Sequence, residues 1–394
     1  MTNLLTRRVA NVLPTKKQLE ERLAKGSVKI YLGIDPSSPF LHIGHAVVLW
    51  KLKEFQDAGH KVILLVGDFT GMIGDPTDRS AARVKLTKEQ VLENAQSYKE
   101  QIGKIIRFEG ENPAELKFNS EWLSPLTFSD VIELSSNLTV QQLLERDFFQ
   151  KRLKEQKPIH LHEFLYPLIQ GYDSVYMSVD IEIGGTDQTF NMLIGRTLMR
   201  SLRQKDKFVI TVPLLEGLDG RKMSKSFNNF IAITDNPTVM FGKIMSLKDD
   251  LIPRYFDLAT THNEQELANV IESIKTGELH PMEAKKKLAW EIVKLYHSQN
   301  EAEKAKEEFE EVFQKGETPK NIETVNVKSE TVNVIDVLTN TGTLKSRSEA
   351  RRLLEQGGLE WNGEKIDKTE IAVNSGGTLR VGKHRFLRIE SSAK

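Results

Sequence analysis

The 394-residue sequence contains no cysteine and no long apolar run. The lack of cysteine excludes disulfides and thiolate metal sites, and it is compatible with a reducing cytoplasm, where we expect the protein to work. No apolar segment approaches the roughly 20 residues that a membrane-spanning helix needs, so we expect no membrane partner. The nine histidines form no HExxH-type cluster, and we predict no metal ion bound by the protein alone.

The whole chain also lacks an excess of charge of either sign, since Lys and Arg total 55 and Asp and Glu total 55. The charge is unevenly distributed, because residues 341–394 carry eleven basic and seven acidic side chains. From its charge alone, this basic end is best interpreted as a solvated surface. The length predicts two or three domains.

The first nineteen residues contain four basic side chains and no acidic one, a composition that transit peptides share. Apolar residues between positions 4 and 13 recur at helical spacing, and Pro14 would end the pattern. We therefore expect a leading helix rather than a transit peptide.

Strand and helix patterns alternate in the first part of the chain. Apolar runs at residues 28–34 and 61–66 predict strands, and the first is followed by a helix that begins near His42. A capping box at residues 87–90 predicts a helix to about residue 108, and a later strand is predicted at 208–212. This order is typical of the α/β class with a doubly wound, Rossmann-like parallel sheet, in which ligands bind at the carboxyl ends of the strands.

Changes in composition divide the chain into domains. Residues 1–234 hold the α/β pattern, with a mostly helical insert at about 115–165. Residues 235–318 are rich in charge and predict a helical domain. A polar stretch at 319–332 predicts a linker, and residues 333–394 form a separate small unit.

Two short motifs carry the chemistry. In the histidine motif, His42-Ile43-Gly44-His45, the two imidazoles share one face of the first turn of a helix, where free N–H groups and the helix dipole favour an anion. Gly44 would let a flat base or a ribose approach the backbone. The lysine motif, Lys222-Met223-Ser224-Lys225-Ser226, is cationic and suited to closing over pyrophosphate. Together, in this order, the motifs indicate an enzyme that activates a carboxylate with ATP.

Two polar clusters add candidate binding groups. Tyr166, Gln170 and Asp173 follow one stripe of a predicted helix and offer a phenol, an amide and a carboxylate where apolar groups would be expected. These groups suit a ligand with an ammonium at one end and a hydroxyl at the other, although an exposed polar face would look the same. Asp187 and Gln188 follow a glycine turn and could contact a ribose or the substrate.

The motifs and their surroundings resemble the class I aminoacyl-tRNA synthetases, and in detail the bacterial tyrosyl-tRNA synthetases. The resemblance covers nearly the whole chain, and it is carried by the two motifs and by residues 31–36, 70–76, 166–173 and 184–188. Residues 346–352, with the glycine turns at 357–358 and 362–363, resemble the S4 RNA-binding module. The complete lysine motif and Thr189 are similar to the second branch of the family, whereas the commonest bacterial branch has other residues there.

The resemblance implies a role for each matching residue. Tyr31 and Asp173 would hold the phenolic hydroxyl of tyrosine, and Asp75, Tyr166 and Gln170 would hold its ammonium. The catalytic side chains that stabilise the polyphosphate would be His42, His45, Lys222 and Lys225. The residues that contact ATP would also include Asp35, Gly44, Asp187, Gln188, Met223 and Ser224. Those that contact tRNA would be Lys345, Arg347, Arg351 and Arg352.

The resemblance also implies domains and partners. Residues 1–234 would be the catalytic domain, 235–318 a helical domain for the anticodon arm, and 333–394 a small α+β RNA-binding domain. The substrates would be L-tyrosine, tRNA(Tyr) and ATP with Mg²⁺, and the protein would form a homodimer and bind no DNA.

Three rival hypotheses remain open at this point. A tryptophanyl enzyme of the same class would have less use for Tyr31 and Asp173 together, because an indole offers a single N–H. A small-molecule nucleotidyltransferase can share the histidine motif, but it would not use an RNA-binding tail. A non-enzymatic RNA-binding protein would leave the histidine and lysine motifs unexplained.

Overall fold

The structure is a computed structural model that describes residues 4–75, 87–224, 227–314, 323–327, 329–344, 346–374, 376–382 and 385–391. Its first part contains β1 (Asn11–Leu13), α1 (Lys16–Leu23), β2 (Lys29–Ile34), α2 (Ile43–Asp57), β3 (Lys61–Val66), α3 (Thr70–Ile73), α4 (Lys88–Gly103) and β4 (Glu115–Phe118). It continues with α5 (Ser120–Leu123), α6 (Phe128–Ser135), α7 (Val140–Leu144), α8 (Asp147–Lys154), α9 (Leu161–Met177), β5 (Ile181–Gly185), α10 (Thr189–Arg203) and β6 (Phe208–Val212).

The first six strands form one twisted α/β sheet, which confirms the predicted fold class. The strand order is β1-β6-β5-β2-β3-β4, and every neighbouring pair from β6 to β4 is parallel. The chain leaves β2 toward β3 on one side and reaches β5 on the other. A crevice therefore opens at the carboxyl end of β2, where a doubly wound sheet binds its ligands.

The predicted leading helix is wrong. Residues 11–13 form β1, which pairs antiparallel with β6 so that Asn11 lies opposite Thr211. The pairing satisfies backbone groups that the edge of β6 would otherwise leave to water. The apolar spacing that suggested a helix arises because Leu5 is buried in the main core, and the helix begins only after Pro14, with Thr15 as its N-cap.

The insert predicted at 115–165 is helical in most of its length, but not at its start. Residues 115–118 form β4, which extends the sheet by pairing parallel with β3. Alternating charged and apolar side chains (Glu115, Leu116, Lys117, Phe118) hid this edge strand from a search for continuous apolar runs. Strand β5 was also missed, because Glu182 interrupts its apolar run.

Helices α9 and α10 pack closely against each other. The contact depends on two glycines, since a methyl group added at Gly171 would lie 3.1 Å from the Cα atom of Gly195. This close approach fixes the position of α9, which carries Tyr166, Gln170 and Asp173 on its buried side.

The middle of the chain is helical, as predicted. Its helices are α11 (Pro237–Met245), α12 (Ile252–Ala259), α13 (Glu264–Thr276), α14 (Pro281–Tyr296) and α15 (Gln299–Gln314). Their buried side chains, such as Phe241 and Leu288, belong to the same hydrophobic core as α2 and the sheet. Among the described helices of the whole chain, none is both long and apolar enough to cross a bilayer.

The C-terminal unit has its own core. It contains β7 (Glu323–Val327), β8 (Thr331–Asn333), α16 (Val334–Asn340), α17 (Arg347–Glu355), β9 (Leu359–Trp361), β10 (Glu364–Lys365), β11 (Glu370–Ala372), β12 (Gly377–Val381) and β13 (Arg385–Ser391). The larger sheet has the order β10-β9-β12-β13-β7, and β8 pairs with β11.

One segment of the predicted linker belongs to this sheet. Residues 323–327 form β7, which runs parallel to β13. Val325 and Val327 pack on the C-terminal core, whereas the polar residues around them made the stretch look like a linker. Residues 315–322 and 328, also within or next to the predicted linker, lie outside the described residues.

Candidate active site

A cavity of ≈ 290 Å³ lies at the carboxyl ends of β2, β3 and β5. Both motifs reach it, since His42, His45 and Lys222 line its wall. Most of the predicted substrate residues line the same cavity; they are Tyr31, Asp35, Gly44, Asp75, Tyr166, Gln170, Asp173, Asp187, Gln188 and Met223. The structure thus brings together side chains that are far apart in the sequence.

The histidine motif begins helix α2, with His42 as the N-cap. The rings of His42 and His45 are stacked, with centroids 3.8 Å apart. The backbone N–H of His42 donates to Nδ1 of His45 over 3.2 Å. Because Nδ1 accepts a hydrogen bond, a neutral His45 carries its proton on Nε2, which makes that atom a hydrogen-bond donor.

The histidine motif and the lysine motif meet at Gly44. A methyl group added there would lie 2.9 Å from Nδ1 of His42 and 3.4 Å from Sδ of Met223. The missing side chain therefore makes room for the His42 ring and for a buried methionine of the lysine motif. Met223 anchors that motif in the main core.

The lysine motif is held by two sets of contacts. The ammonium of Lys222 lies 3.2 Å from a carboxylate oxygen of Asp187. The side chain of Asn229 accepts a hydrogen bond from the backbone N–H of Ser224 at 2.8 Å and donates to the carbonyl of Lys222 at 3.1 Å. Ser224 itself does not line the cavity, and the predicted catalytic Lys225 lies outside the described residues.

One end of the cavity, which we call the phenol end, is formed by Tyr31 and Asp173. Both are almost fully buried, with exposed fractions of 1% and 2%. Asp173 accepts hydrogen bonds from Nε1 of Trp122 at 2.8 Å and from Nδ2 of Asn119 at 3.3 Å. The hydroxyl of Tyr31 lies 2.8 Å from Oγ of Ser174.

Burial controls the ionisation of these groups. Burial raises the pKa of Asp173 well above its ordinary value, against the hydrogen bonds from Trp122 and Asn119, which lower it. Burial, followed by the charges of Glu182 and Asp173, raises the pKa of Tyr31 well above its ordinary value. Tyr31 is therefore a neutral hydroxyl at physiological pH, and the phenol end suits a neutral polar group.

Away from the phenol end, the cavity is lined by two further carboxylates, those of Asp35 and Asp75. The Tyr166 hydroxyl donates to Asp35 at 2.8 Å, and the other oxygen of Asp35 accepts from Oγ of Thr70 at 2.6 Å. Gln188 donates to Asp75 at 2.7 Å, and Arg146 lies 3.3 Å from the other oxygen of Asp75.

Gln170 lies between the two ends of the cavity. Its amide N–H donates to Glu182 at 3.2 Å. Its amide oxygen is buried and has no hydrogen-bond partner in the described part of the chain. A buried acceptor of this kind is suited to an N–H or ammonium donor from a ligand.

Several important residues were not identified from the sequence. They are Thr70, Asn119, Trp122, Arg146, Ser174, Glu182, Lys207 and Asn229, which hold the predicted site residues in place. Glu182 was the most detectable of them, because a charged residue inside an apolar strand needs a buried partner. That partner is Lys207, whose ammonium contacts the Glu182 carboxylate.

The candidate RNA contacts lie on helix α17 of the C-terminal unit. Ala350 and Leu354 face its core, which leaves Arg347, Arg351 and Arg352 exposed on the outer side. Arg347 forms an ion pair with Asp336. The fourth predicted residue, Lys345, lies outside the described residues.

Comparison with protein-family models gives two matches that together span most of the chain. The model of tRNA synthetases class I (W and Y) matches residues 23–314. The model of the tyrosine--tRNA ligase SYY-like C-terminal domain matches residues 313–388.

Curated relatives match along nearly their full length. The tyrosine--tRNA ligase of Thermotoga maritima is 46% identical over 389 residues, which cover 98% of this chain and 96% of the relative. The tyrosine--tRNA ligase of Aquifex aeolicus is 47% identical over 380 residues, covering 95% of each.

Solved structures share the fold at lower identity. The tyrosyl-tRNA synthetase of Archaeoglobus fulgidus, solved with L-tyrosine, has a TM-score of 0.61 at 22% identity and covers 77% of this chain and 98% of its own. The C-terminally truncated mitochondrial tyrosyl-tRNA synthetase of Coccidioides posadasii has a TM-score of 0.63 at 24% identity, covering 76% of this chain and 88% of its own.

Proposed function

The chain belongs to the class I tRNA synthetases and, through its full-length relatives, to the tyrosine--tRNA ligases, and from that premise we propose which residues carry out the reaction. The enzyme activates L-tyrosine with ATP to tyrosyl-adenylate and pyrophosphate, and then transfers tyrosine to the 3′ end of tRNA(Tyr). One observation carries the assignment of residues: a buried hydroxyl and a buried carboxylate, Tyr31 and Asp173, form one end of the cavity that both motifs line.

The phenol end selects tyrosine by hydrogen bonding. A phenol offers one proton and an oxygen that accepts, so it can donate to Asp173 and accept from Tyr31. Phenylalanine would form neither of these hydrogen bonds with the buried groups Tyr31 and Asp173, which costs roughly 1 kcal/mol or more for each. Tryptophan would offer an N–H donor but no acceptor for the Tyr31 proton.

The ammonium of tyrosine binds among Asp75, Tyr166 and Gln170. Gln170 contributes its buried amide oxygen, which has no other partner in the described chain. Asp75 contributes negative charge, and Tyr166 is held by Asp35, so that its oxygen is available to accept from the ammonium.

The adenylate forms where the motifs meet. The tyrosine carboxylate attacks the α-phosphorus of ATP in line, and pyrophosphate leaves. His42, His45, Lys222 and Lys225 stabilise the charge that develops on the phosphates. Asp35, Gly44, Asp187, Gln188, Met223 and Ser224 hold the nucleotide or shape its site.

Magnesium enters with ATP as part of the substrate. No cluster of three or more His, Asp or Glu side chains in the described part of the chain could hold a metal ion by itself. Mg²⁺ would thus be held mainly by phosphate oxygens and water, the arrangement that it commonly adopts with nucleotides.

The reaction is tested by amino-acid-dependent exchange between ATP and labelled pyrophosphate, with tyrosine, phenylalanine and tryptophan assayed in parallel. We expect exchange with tyrosine alone. Exchange with tryptophan would keep the enzyme class and overturn the roles of Tyr31 and Asp173. Exchange with none of them would favour a nucleotidyltransferase or a non-enzymatic RNA-binding protein.

Substitution His45→Ala tests the division of labour inside the cavity. Removing one donor that stabilises developing charge should slow adenylate formation by roughly 10²–10³-fold. The affinity for tyrosine should change little, because His45 contacts neither end of the bound amino acid. Single-turnover kinetics and tyrosine binding to the same variant measure the two effects, and an unchanged rate would exclude His45 from catalysis.

We assign tRNA contacts to the exposed face of helix α17. Arg347, Arg351 and Arg352 would contact phosphates, and RNA of this kind is recognised largely through its backbone and shape. Substitution Arg351→Glu should lower the rate of tRNA charging at subsaturating tRNA and leave pyrophosphate exchange unchanged. The control is Lys17→Glu, an equal charge change at an exposed site on α1. Equal effects of both variants would contradict this assignment.

We propose that the protein is a homodimer that uses the helical insert as its interface. Large apolar side chains there are exposed, among them Phe128 (81%), Val140 (62%) and Ile132 (56%). Phe149 of the same insert is instead fully buried, and its ring packs against Phe164 within the chain. A surface of this kind commonly marks a protein interface.

Sedimentation of the unaltered protein at micromolar concentration tests the dimer, and a monomer under these conditions would contradict it.

We also place the enzyme in the cytoplasm, a proposal supported by its cysteine-free sequence and tested by cell fractionation.

A further inference from the structure

A buried lysine lies behind the phenol end of the cavity. Lys207 precedes strand β6 and is completely buried. Its ammonium lies 2.8 Å from Oγ of Ser174 and makes an even closer contact with one carboxylate oxygen of Glu182. Ser174 in turn lies 2.8 Å from the Tyr31 hydroxyl. Neither Lys207 nor Ser174 lines the cavity, so they act on a ligand through their neighbours Tyr31 and Glu182, which do line it.

The hydrogen bonds that link Lys207, Ser174 and Tyr31 have a direction, because each has a donor and an acceptor. An ammonium can only donate, so Lys207 donates to Ser174 and to Glu182. The proton of Ser174 then has two acceptors within reach, the Tyr31 oxygen at 2.8 Å and the Glu182 carboxylate at 3.3 Å. The shorter contact is favoured, and the carboxylate oxygen at 3.3 Å already accepts from Lys207.

Glu182 would otherwise compete for the Tyr31 proton. Lys207 occupies one of its oxygens, and the amide of Gln170 donates to the other at 3.2 Å. Because each of its oxygens already accepts from another donor, Glu182 is a weaker acceptor for the Tyr31 proton, and a ligand in the cavity competes with it for that proton. Hydrogen bonds in such a chain also polarise one another, which strengthens the last donor.

We propose that Lys207 is a positioning residue for tyrosine selection: it sets the direction of the Lys207–Ser174–Tyr31 chain, so that Tyr31 donates its proton into the cavity. This proposal rests on the proposed binding of tyrosine by Tyr31 and Asp173. With Tyr31 as donor and Asp173 as acceptor, the phenol end matches a hydroxyl that both accepts and donates. If Tyr31 donated to Ser174 instead, two acceptors would face a single substrate proton.

The surrounding fold makes room for the ammonium. A methyl group added at Gly195 of α10 would lie 2.5 Å from Nζ of Lys207 and 3.1 Å from Oγ of Ser174. The lysine thus fills a space that the absence of a side chain on α10 leaves open, next to the buried carboxylate of Glu182, which balances its charge. A buried charge without a partner is strongly unfavourable, so both charges must be removed together in a test.

The test uses the double variant Lys207→Met/Glu182→Gln, which removes both charges and keeps an amide oxygen that can accept from Gln170. The full-length protein is assayed by pyrophosphate exchange with tyrosine and with phenylalanine. We expect kcat/KM for tyrosine to fall about tenfold, mostly through KM, while kcat/KM for phenylalanine stays the same. Unchanged discrimination between the two amino acids in the folded variant would show that the ion pair is only structural.

A second variant keeps the proposal testable if the double variant does not fold. Ser174→Ala removes the hydrogen-bond link between Lys207 and Tyr31 and leaves the Lys207–Glu182 ion pair in place. It should lower the discrimination between tyrosine and phenylalanine by a similar factor. Lys205→Met is the control, because Lys205 is a partly exposed lysine two residues away that pairs with Asp180; it should have no effect. Unchanged discrimination in Ser174→Ala would overturn the proposal.

Assays of the unaltered protein distinguish a failure of this proposal from a failure of the proposed function. Failure of the unaltered protein to use tyrosine would refute the proposed function itself. Use of tyrosine by the unaltered protein, with unchanged discrimination in the variants, would refute only the role of Lys207.

Discussion

The burial of acidic side chains around one small cavity is the constraint on which the rest of the site depends. Asp173 and Glu182 have exposed fractions of only 2% and 3%, and Asp35 lies beside them at the end of β2. A buried carboxylate is tolerated only when donors satisfy it. The partners Trp122, Asn119, Thr70 and Lys207 therefore have to lie where they do, and their positions hold Tyr31 and Tyr166 in turn.

This constraint divides the cavity into two halves with different properties. The half that we propose for tyrosine is built on β2 and the buried side of α9, and its polar groups are hydrogen-bonded within the protein. The half that we propose for ATP includes the lysine motif, where the Lys222 side chain is 49% exposed. A half lined by buried polar groups suits selection of the amino acid, since burial makes the loss of one hydrogen bond costly. A more accessible half suits contacts that strengthen as pyrophosphate leaves. Contacts that are stronger in the transition state than in the bound substrates lower the barrier of the chemical step.

Local patterns predicted much of the fold, and they picked out both motifs, whose residues His42, His45 and Lys222 line one cavity. Strands β2, β3 and β6 and the start of α2 follow from apolar runs and caps within a few residues. Strands β1, β4 and β7 could not be predicted in this way, because each is a short strand held by a distant partner. The same reason explains Ser174 and Lys207: their hydrogen bonds join residues 143 and 33 positions apart, and nothing in their own neighbourhood marks them.

The central claim is that the protein selects tyrosine with a donor and an acceptor that are in place before ATP binds. Equilibrium dialysis of the unaltered protein with labelled L-tyrosine and L-phenylalanine, in the absence of ATP, tests it directly. The account predicts one tyrosine site per chain and binding of phenylalanine that is weaker by roughly 10²-fold or more, because two hydrogen bonds to buried groups are lost. Similar affinities for the two amino acids, or binding of tyrosine only when ATP is present, would contradict it.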